Sequence, residues 1–334
     1  MKFWRFLIPA LLLACISAAA KNPPQYQQVN KFVLGGSGGW DYLLYDSSAD
    51  RLFITRGMRV VVVDPNTGKQ TGELPATGAH GVALVQDKNR GFISNGRAGT
   101  VTVFDLTALK PTGDIKVGEN PDAIIYDPNS KHVIVMNGRS HNLMAIDPDS
   151  LKVVADIPLG GKLEFAATDL GHIYVNVEDT GEIAVVDSNT WKATERWKLA
   201  DCEEPSGLAI DSSAHRLFDV CGNKKMMVVD TATGKVVSTI PTGAGTDAAG
   251  FDPGLKLAFA SNGEGTLSVV QTAKGDYKLL QNATTMRSAR TMALDPKTHR
   301  VFLVGAEMVP PASGQGRPTE KPDTFTVLVY APAK

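Results

Sequence analysis

A strand that ends in aspartate recurs along this chain: Val60-Val61-Val62-Val63-Asp64, Val101-Thr102-Val103-Phe104-Asp105, Leu143-Met144-Ala145-Ile146-Asp147, Ile183-Ala184-Val185-Val186-Asp187 and Met226-Met227-Val228-Val229-Asp230. The steps from Asp64 through Asp105, Asp147 and Asp187 to Asp230 are 41, 42, 40 and 43 residues, and a further copy ends at Gln271, 41 residues on. A period this long, built wholly of short strand signals, predicts the blades of a β-propeller. The length of 334 residues leaves room for seven such repeats. Aromatics are only 7% of the chain, and the apolar residues are mostly Val, Ile, Ala and Leu, which suits small-residue packing between stacked sheets.

Each repeat carries the same turn chemistry. A strand ends in Asp, a short turn follows, and a basic residue leads into the next strand, as in Asp127-Pro128-Asn129-Ser130-Lys131, Asp211-Ser212-Ser213-Ala214-His215-Arg216 and Asp295-Pro296-Lys297-Thr298-His299-Arg300. An aspartate at the first turn position accepts a hydrogen bond from the backbone two residues on, so these carboxylates read as turn formers and not as catalytic groups. In one repeat the four strands are expected at 207–210, 216–220, 226–229 and 236–240. The innermost strands open at Asp41, His80, Asp122, Glu164, Ser206, Asp247 and Arg290, which gives seven blades. The chain begins on an outer-type strand, Gln28 to Leu34, and finishes on a third-type strand, Phe325 to Tyr330, so the first strand is expected to complete the last blade and remove an exposed sheet edge.

Residues 1–20 read as a signal peptide rather than as part of the fold. Lys2 and Arg5 form a positive start, Phe6 through Ile16 an apolar run too short to span a membrane, and Ala18-Ala19-Ala20 a small-residue cleavage site. Leu12-Leu13-Ala14-Cys15 offers a second outcome, a lipoprotein anchored to a membrane through Cys15. Cleavage after Ala20 leaves 32 basic against 35 acidic residues, a net charge near −3. The mature chain, 21–334, then holds two cysteines, Cys202 and Cys221, on either side of one hairpin. If residues 206 and 221 face each other across it, a disulfide is within reach in an oxidising, periplasmic or extracellular compartment; two reduced thiols are the alternative.

The second-strand segments Phe92-Ile93-Ser94-Asn95, Ile173-Tyr174-Val175-Asn176 and Ala258-Phe259-Ala260-Ser261-Asn262, each followed by a turn and a strand such as Gly99-Thr100-Val101-Thr102-Val103-Phe104-Asp105, resemble the YVTN repeat. On these motifs the chain is similar, over about residues 28–330, to the YncE-like exported propellers. The resemblance implies a seven-bladed periplasmic or secreted propeller and brings no shared catalytic motif. The chain departs from it at Gln271, where the aspartate is missing, and at an insertion near residues 307–322.

Function is therefore sought where the repeats differ. The residues that open the innermost strands (Asp41, His80, Asp122, Glu164, Ser206, Asp247, Arg290) are expected at the mouth of a central channel. Arg97, Arg139, Glu178, Asn223, Glu264 and Glu307 follow the second strands on the same face. Together they predict a wet, mixed-charge funnel that could orient a polar ligand, although a channel mouth is solvated in any propeller. Asp41, His80, Asp122 and Asp247 could hold a divalent cation, but no histidine-rich spacing supports one, and no cofactor is assigned. A Ser206–His80 nucleophile pair would have to meet across the channel, and no Gly-x-Ser-x-Gly elbow is present. Gly35-Gly36-Ser37-Gly38-Gly39 joins strands and precedes no helix, which argues against a nucleotide loop. The acidic balance offers no basic stripe for nucleic acid beyond a local patch of Arg97, Arg139 and Arg290. The expectation is an exported, non-catalytic, monomeric binding scaffold for a protein or a small polar ligand; the alternative is a propeller-type hydrolase or lactonase with a channel metal.

Overall fold

The computed structural model describes Met1, residues 24–311, Gly316 and residues 318–333. The expected signal peptide, Met1 apart, and the lipidation candidate Cys15 lie outside the described residues, and the 307–322 insertion is described mainly at its two ends. The chain is all-β and propeller-like, built of four-stranded antiparallel sheets. Four of these sheets each take their strands consecutively through hairpins: Pro121–Asp127 to Lys152–Pro158, Leu163–Asp169 to Lys192–Lys198, Pro205–Asp211 to Val236–Pro241, and Thr246–Asp252 to Lys278–Thr284. A fifth combines the two ends of the chain, in the order Tyr26–Val33, Thr326–Pro332, Arg300–Gly305 and Thr291–Asp295.

The expected first and second repeats share one seven-stranded sheet instead of forming two. Gln70–Val85 runs as one strand, pairing through its first half with Gly57–Val63 and through its second half with Arg90–Asn95. The link between the repeats contains Gly78 at φ +76°, a left-handed conformation open to glycine, so the chain changes direction there without losing its pairing on either side. The expected start of the first innermost strand also moves. Leu43–Asp46 begins two residues after Asp41, because the Tyr42 N–H donates to the His80 carbonyl of the neighbouring strand at 3.1 Å.

The turn aspartates behave as their position requires. Asp64, Asp147, Asp187, Asp230 and Asp252 each accept the N–H two residues on, at 2.8–3.0 Å. Backbone bonds led by Asn66 hold the Asp64 carboxyl below the usual carboxylate range, and bonds led by Asn189 do the same for Asp187. Where Gln271 replaces the aspartate, a 3-10 turn at Ala273–Gly275 closes the hairpin, and Gln271 Nε2 donates to Asp276 at 2.9 Å.

The second strands are buried on both faces, the innermost ones partly so, and the outer ones are largely exposed, as Leu257–Asn262, Thr246–Asp252 and Lys110–Lys116 illustrate. Adjacent innermost strands pack on one another: Leu43–Asp46 on Gln70–Val85, then successively Pro121–Asp127, Leu163–Asp169, Pro205–Asp211, Thr246–Asp252 and Thr291–Asp295, which in turn contacts Leu43–Asp46. Cys202 and Cys221 are joined in a disulfide with Cα atoms 5.4 Å apart. The residue opposite Cys221 is Pro205 rather than Ser206, because a bulge between Pro205 and Leu208 shifts the register. Linking residues 19 apart stabilises the fold by about 3 kcal/mol through loop closure.

The N-terminal strand is anchored well beyond its ladder to Thr326–Pro332. The Tyr26 ring is 1% exposed and stands edge-on to Phe259, with ring centres 4.9 Å apart, while its hydroxyl donates to the His299 carbonyl at 3.0 Å. Tyr26→Ala should therefore lower stability by about 4 kcal/mol, as truncation of a buried aromatic does. Denaturant unfolding checks this; a loss under about 1 kcal/mol would mean that the strand is dispensable.

Candidate functional site

The residues that open the innermost strands gather into three neighbouring clusters. In the first, His80 Nδ1 lies 2.5 Å from Asp41 Oδ2 and 3.1 Å from Asp122 Oδ1. In the second, Arg290 Nη1 pairs with Asp247 Oδ2. In the third, Glu164 accepts from the Tyr42 hydroxyl at 3.5 Å and has Lys162 Nζ 3.7 Å away, while Lys162 also pairs with Glu178. Arg97, Arg139, Glu264 and Glu307 are exposed and join none of these clusters. Asn223 belongs elsewhere, donating to the Asp201 carbonyl at 3.0 Å beside the disulfide.

Backbone clamps hold the mouth residues in place. The Asp122 carbonyl accepts from Ser94 Oγ at 3.0 Å, the Asp41 carbonyl from Thr291 Oγ1 at 3.0 Å, the Ser206 carbonyl from Asn176 Nδ2 at 2.8 Å, and the Arg290 carbonyl from Ser261 Oγ. In each pair the donor comes from the sheet packed against the one that its acceptor leads into or belongs to. Ser206 is buried, and its own hydroxyl donates to the Thr246 carbonyl at 3.4 Å. Among the described residues no hydrogen bond joins Ser206 to His80, so the nucleophile–base pair considered from the sequence is not formed.

The electrostatics follow from this crowding. Burial favours a neutral His80, but hydrogen bonds to Asp122 and Asp41 outweigh it and hold the ring charged up to about 10. Burial pushes Asp247 up to about 6, against the pull of the Arg290 guanidinium and with a further push from Asp41. For Arg290 the Asp247 charge outweighs burial, and its pKa rises above the ordinary value. Burial, reinforced by Asp122, also carries Glu164 well above the carboxylate range, with Lys162 opposing. Arg290 is thus an ion-pair partner of Asp247.

Sequence reasoning missed Tyr42, Phe165, Lys162 and Asn120. Tyr42 and Phe165 stand directly after the mouth residues, a position that holds Gly81, Ala123, Gly207, Ala248 and Thr291 in the other repeats. Their rings pack 5.0 Å apart. They form the shared wall between the polar mouth and a cavity of about 370 Å³ that is lined further by Leu44, Val82, Ile124 and Tyr126 and reaches Asp46 and Gln86. The signal was available as two bulky aromatics in a small-residue register. Lys162 and Asn120, each two residues before a mouth residue, are equally readable once that register is drawn up.

No protein-family model matches the chain, and no curated protein matches it. Among solved structures it is similar to a chain of Kuenenia stuttgartiensis hydrazine synthase, with a TM-score of 0.68, 17% identity, and coverage of 85% of this chain and 96% of that one. At that identity the likeness is one of fold alone.

Glu164 supplies a test of the mouth's electrostatics. Its carboxyl ionises near 4.5 in the unfolded chain but well above that in the folded one, so the unfolded state sheds its proton first and stability falls as pH rises above that value. Glu164→Gln removes this loss. The melting temperature of the variant relative to wild type should therefore climb steadily from about pH 5 to about pH 8. A pH-independent difference would contradict the burial assigned to this carboxyl.

Proposed function

We propose that this chain is an exported, non-catalytic propeller of the YVTN kind that works as a monomer and binds a small polar ligand at its channel mouth. In this reading the sheets are seven blades, with the shared sheet counted as two, and the ring is closed by the N-terminal strand. The successive packing of innermost strands and the pairing of Tyr26–Val33 with Thr326–Pro332 support that arrangement. The disulfide supports an oxidising compartment, and export through residues 1–20 accounts for both.

The observation that carries the binding reading is the convergence of ionisable side chains from six separate innermost-strand openings onto one partly exposed surface above the Tyr42–Phe165 wall. Convergent polar groups fixed by backbone clamps orient a ligand without being remade on binding. The engagement of Ser206 with a backbone carbonyl, and of His80 with two aspartates, favours binding over a serine hydrolase.

Two measurements test this. Protein recovered from the oxidising compartment of its cell should start at Lys21 by mass spectrometry and show no free thiol under denaturant; an N-terminus at a lipidated Cys15 would replace the soluble form with an anchored one. A thermal-shift screen of polar metabolites should yield compounds that stabilise wild type but not the double variant Asp247→Asn, Arg290→Gln. Removing both partners leaves no orphaned charge, so the apo melting temperature should change little. Shifts that persist in the double variant would place binding away from the mouth.

A further inference from the structure

We infer that Asp41, His80 and Asp122 form a divalent-cation site at the channel mouth, suited to a borderline ion such as Zn²⁺ or Mn²⁺; the inference rests on the mouth being the binding site. One imidazole nitrogen and one oxygen from each carboxylate lie within 4.8 Å of one another. They come from three sequence positions about forty residues apart, brought together only by the packing of neighbouring innermost strands. A mixed nitrogen and oxygen donor set suits Zn²⁺ and Mn²⁺ better than Ca²⁺, which takes oxygens almost alone.

The geometry needs little adjustment. Tetrahedral Zn²⁺ with bonds near 2.0–2.1 Å sets its ligand atoms roughly 3.3 Å apart. His80 Nδ1 and Asp122 Oδ1 are already 3.1 Å apart, the 2.5 Å contact to Asp41 has to open, and the two carboxylates lie within 4.8 Å of each other. The proton that Nδ1 shares with Asp41 leaves to solvent, and the nitrogen lone pair forms the bond to the metal. The His80 and Asp41 side chains are 28% and 18% exposed, which gives an ion a path in.

The cluster is built as a ligand set is built. Asn120 Nδ2 donates to Asp122 Oδ2 at 3.0 Å, which leaves Oδ1 turned to His80. Backbone clamps hold all three residues: Ser94 on Asp122, Thr291 on Asp41, and the Tyr42 N–H on the His80 carbonyl. Beside the ring stands Gly96, where a Cβ would come within 2.5 Å of His80 Nε2, so a residue with no side chain keeps the imidazole in this position. Beyond the three ligands, Glu164 Oε2 is buried without a hydrogen bond, and a cation bound nearby would favour the ionised form of this carboxyl. The competing account is an ion-paired triad in which a charged His80 is all that the two aspartates hold.

Titration calorimetry of chelator-stripped full-length mature protein with ZnCl₂, MnCl₂ and CaCl₂ separates the two. The site predicts saturable binding of one equivalent of Zn²⁺ or Mn²⁺ per chain. His80→Asn and Asp122→Asn should each weaken it at least as much as the loss of the supporting Asn120, for which Asn120→Ala predicts about a 10–100-fold drop. His215→Asn, on an exposed turn where His215 has φ +56° and asparagine is well tolerated, should leave it unchanged. Absence of saturable binding overturns the inference, as does binding that survives in both folded variants, His80→Asn and Asp122→Asn. If metal binding is absent while polar ligands still shift wild type and not the Asp247→Asn, Arg290→Gln protein, the cation fails and the mouth as a binding site stands.

Discussion

The antiparallel ladder between Tyr26–Val33 and Thr326–Pro332 is the interaction on which the remainder of this structure depends. Every other four-stranded unit is made from consecutive chain, so its pairing is local and cheap in loop-closure entropy. The terminal sheet joins strands about 300 residues apart, with Thr326–Pro332 paired on both sides and Tyr26–Val33 at its outer edge. Its inner strand, Thr291–Asp295, packs against Leu43–Asp46, the first innermost strand of the chain. That contact brings Thr291 to the Asp41 carbonyl and sets Arg290, the residue before it, next to the sheet that holds His80. The mouth thus inherits its geometry from a pairing that no single repeat contains.

Charge at the mouth is arranged so that few groups are left alone. His80 serves two aspartates, Arg290 one, and Lys162 two glutamates, of which Glu164 stays protonated far above the usual range because burial outweighs the lysine. A network in which acids outnumber bases in partial burial is poised for positively charged occupants: a proton, a metal ion or a cationic group can each relieve it. An anion would have to displace Asp247 from Arg290 before it met an open guanidinium.

Most of the architecture was legible in the sequence because it is written in local rules. The strand expected at 207–210 is found at Pro205–Asp211, and that expected at 236–240 at Val236–Pro241. The aspartate turns are where alternating strands and Asx chemistry put them, since both depend on residues only two or three apart. The break at Gln271 was legible as well, and it has its structural counterpart in the 3-10 turn that follows. The merging of the first two repeats was not, because whether Gln70–Val85 stays paired through Gly78 depends on partners on both sides of it.

The sequence by itself determined most of the strands, their turns, the near approach of Cys202 to Cys221, and, within one or two residues, where most innermost strands begin, all from the spacing of side chains along one chain. Only the tertiary structure decided how those opening residues pair. His80 could have faced Ser206, Asp247 or the solvent; it faces Asp41 and Asp122 because neighbouring innermost strands, and not sequence neighbours, lie within side-chain reach of one another. Arg290 likewise meets Asp247 from the adjacent strand, and Arg97 and Arg139 stay out on exposed loops. A hydrogen bond reaches about 3 Å, so the chemistry of the mouth is set by a distance that repeat spacing does not carry.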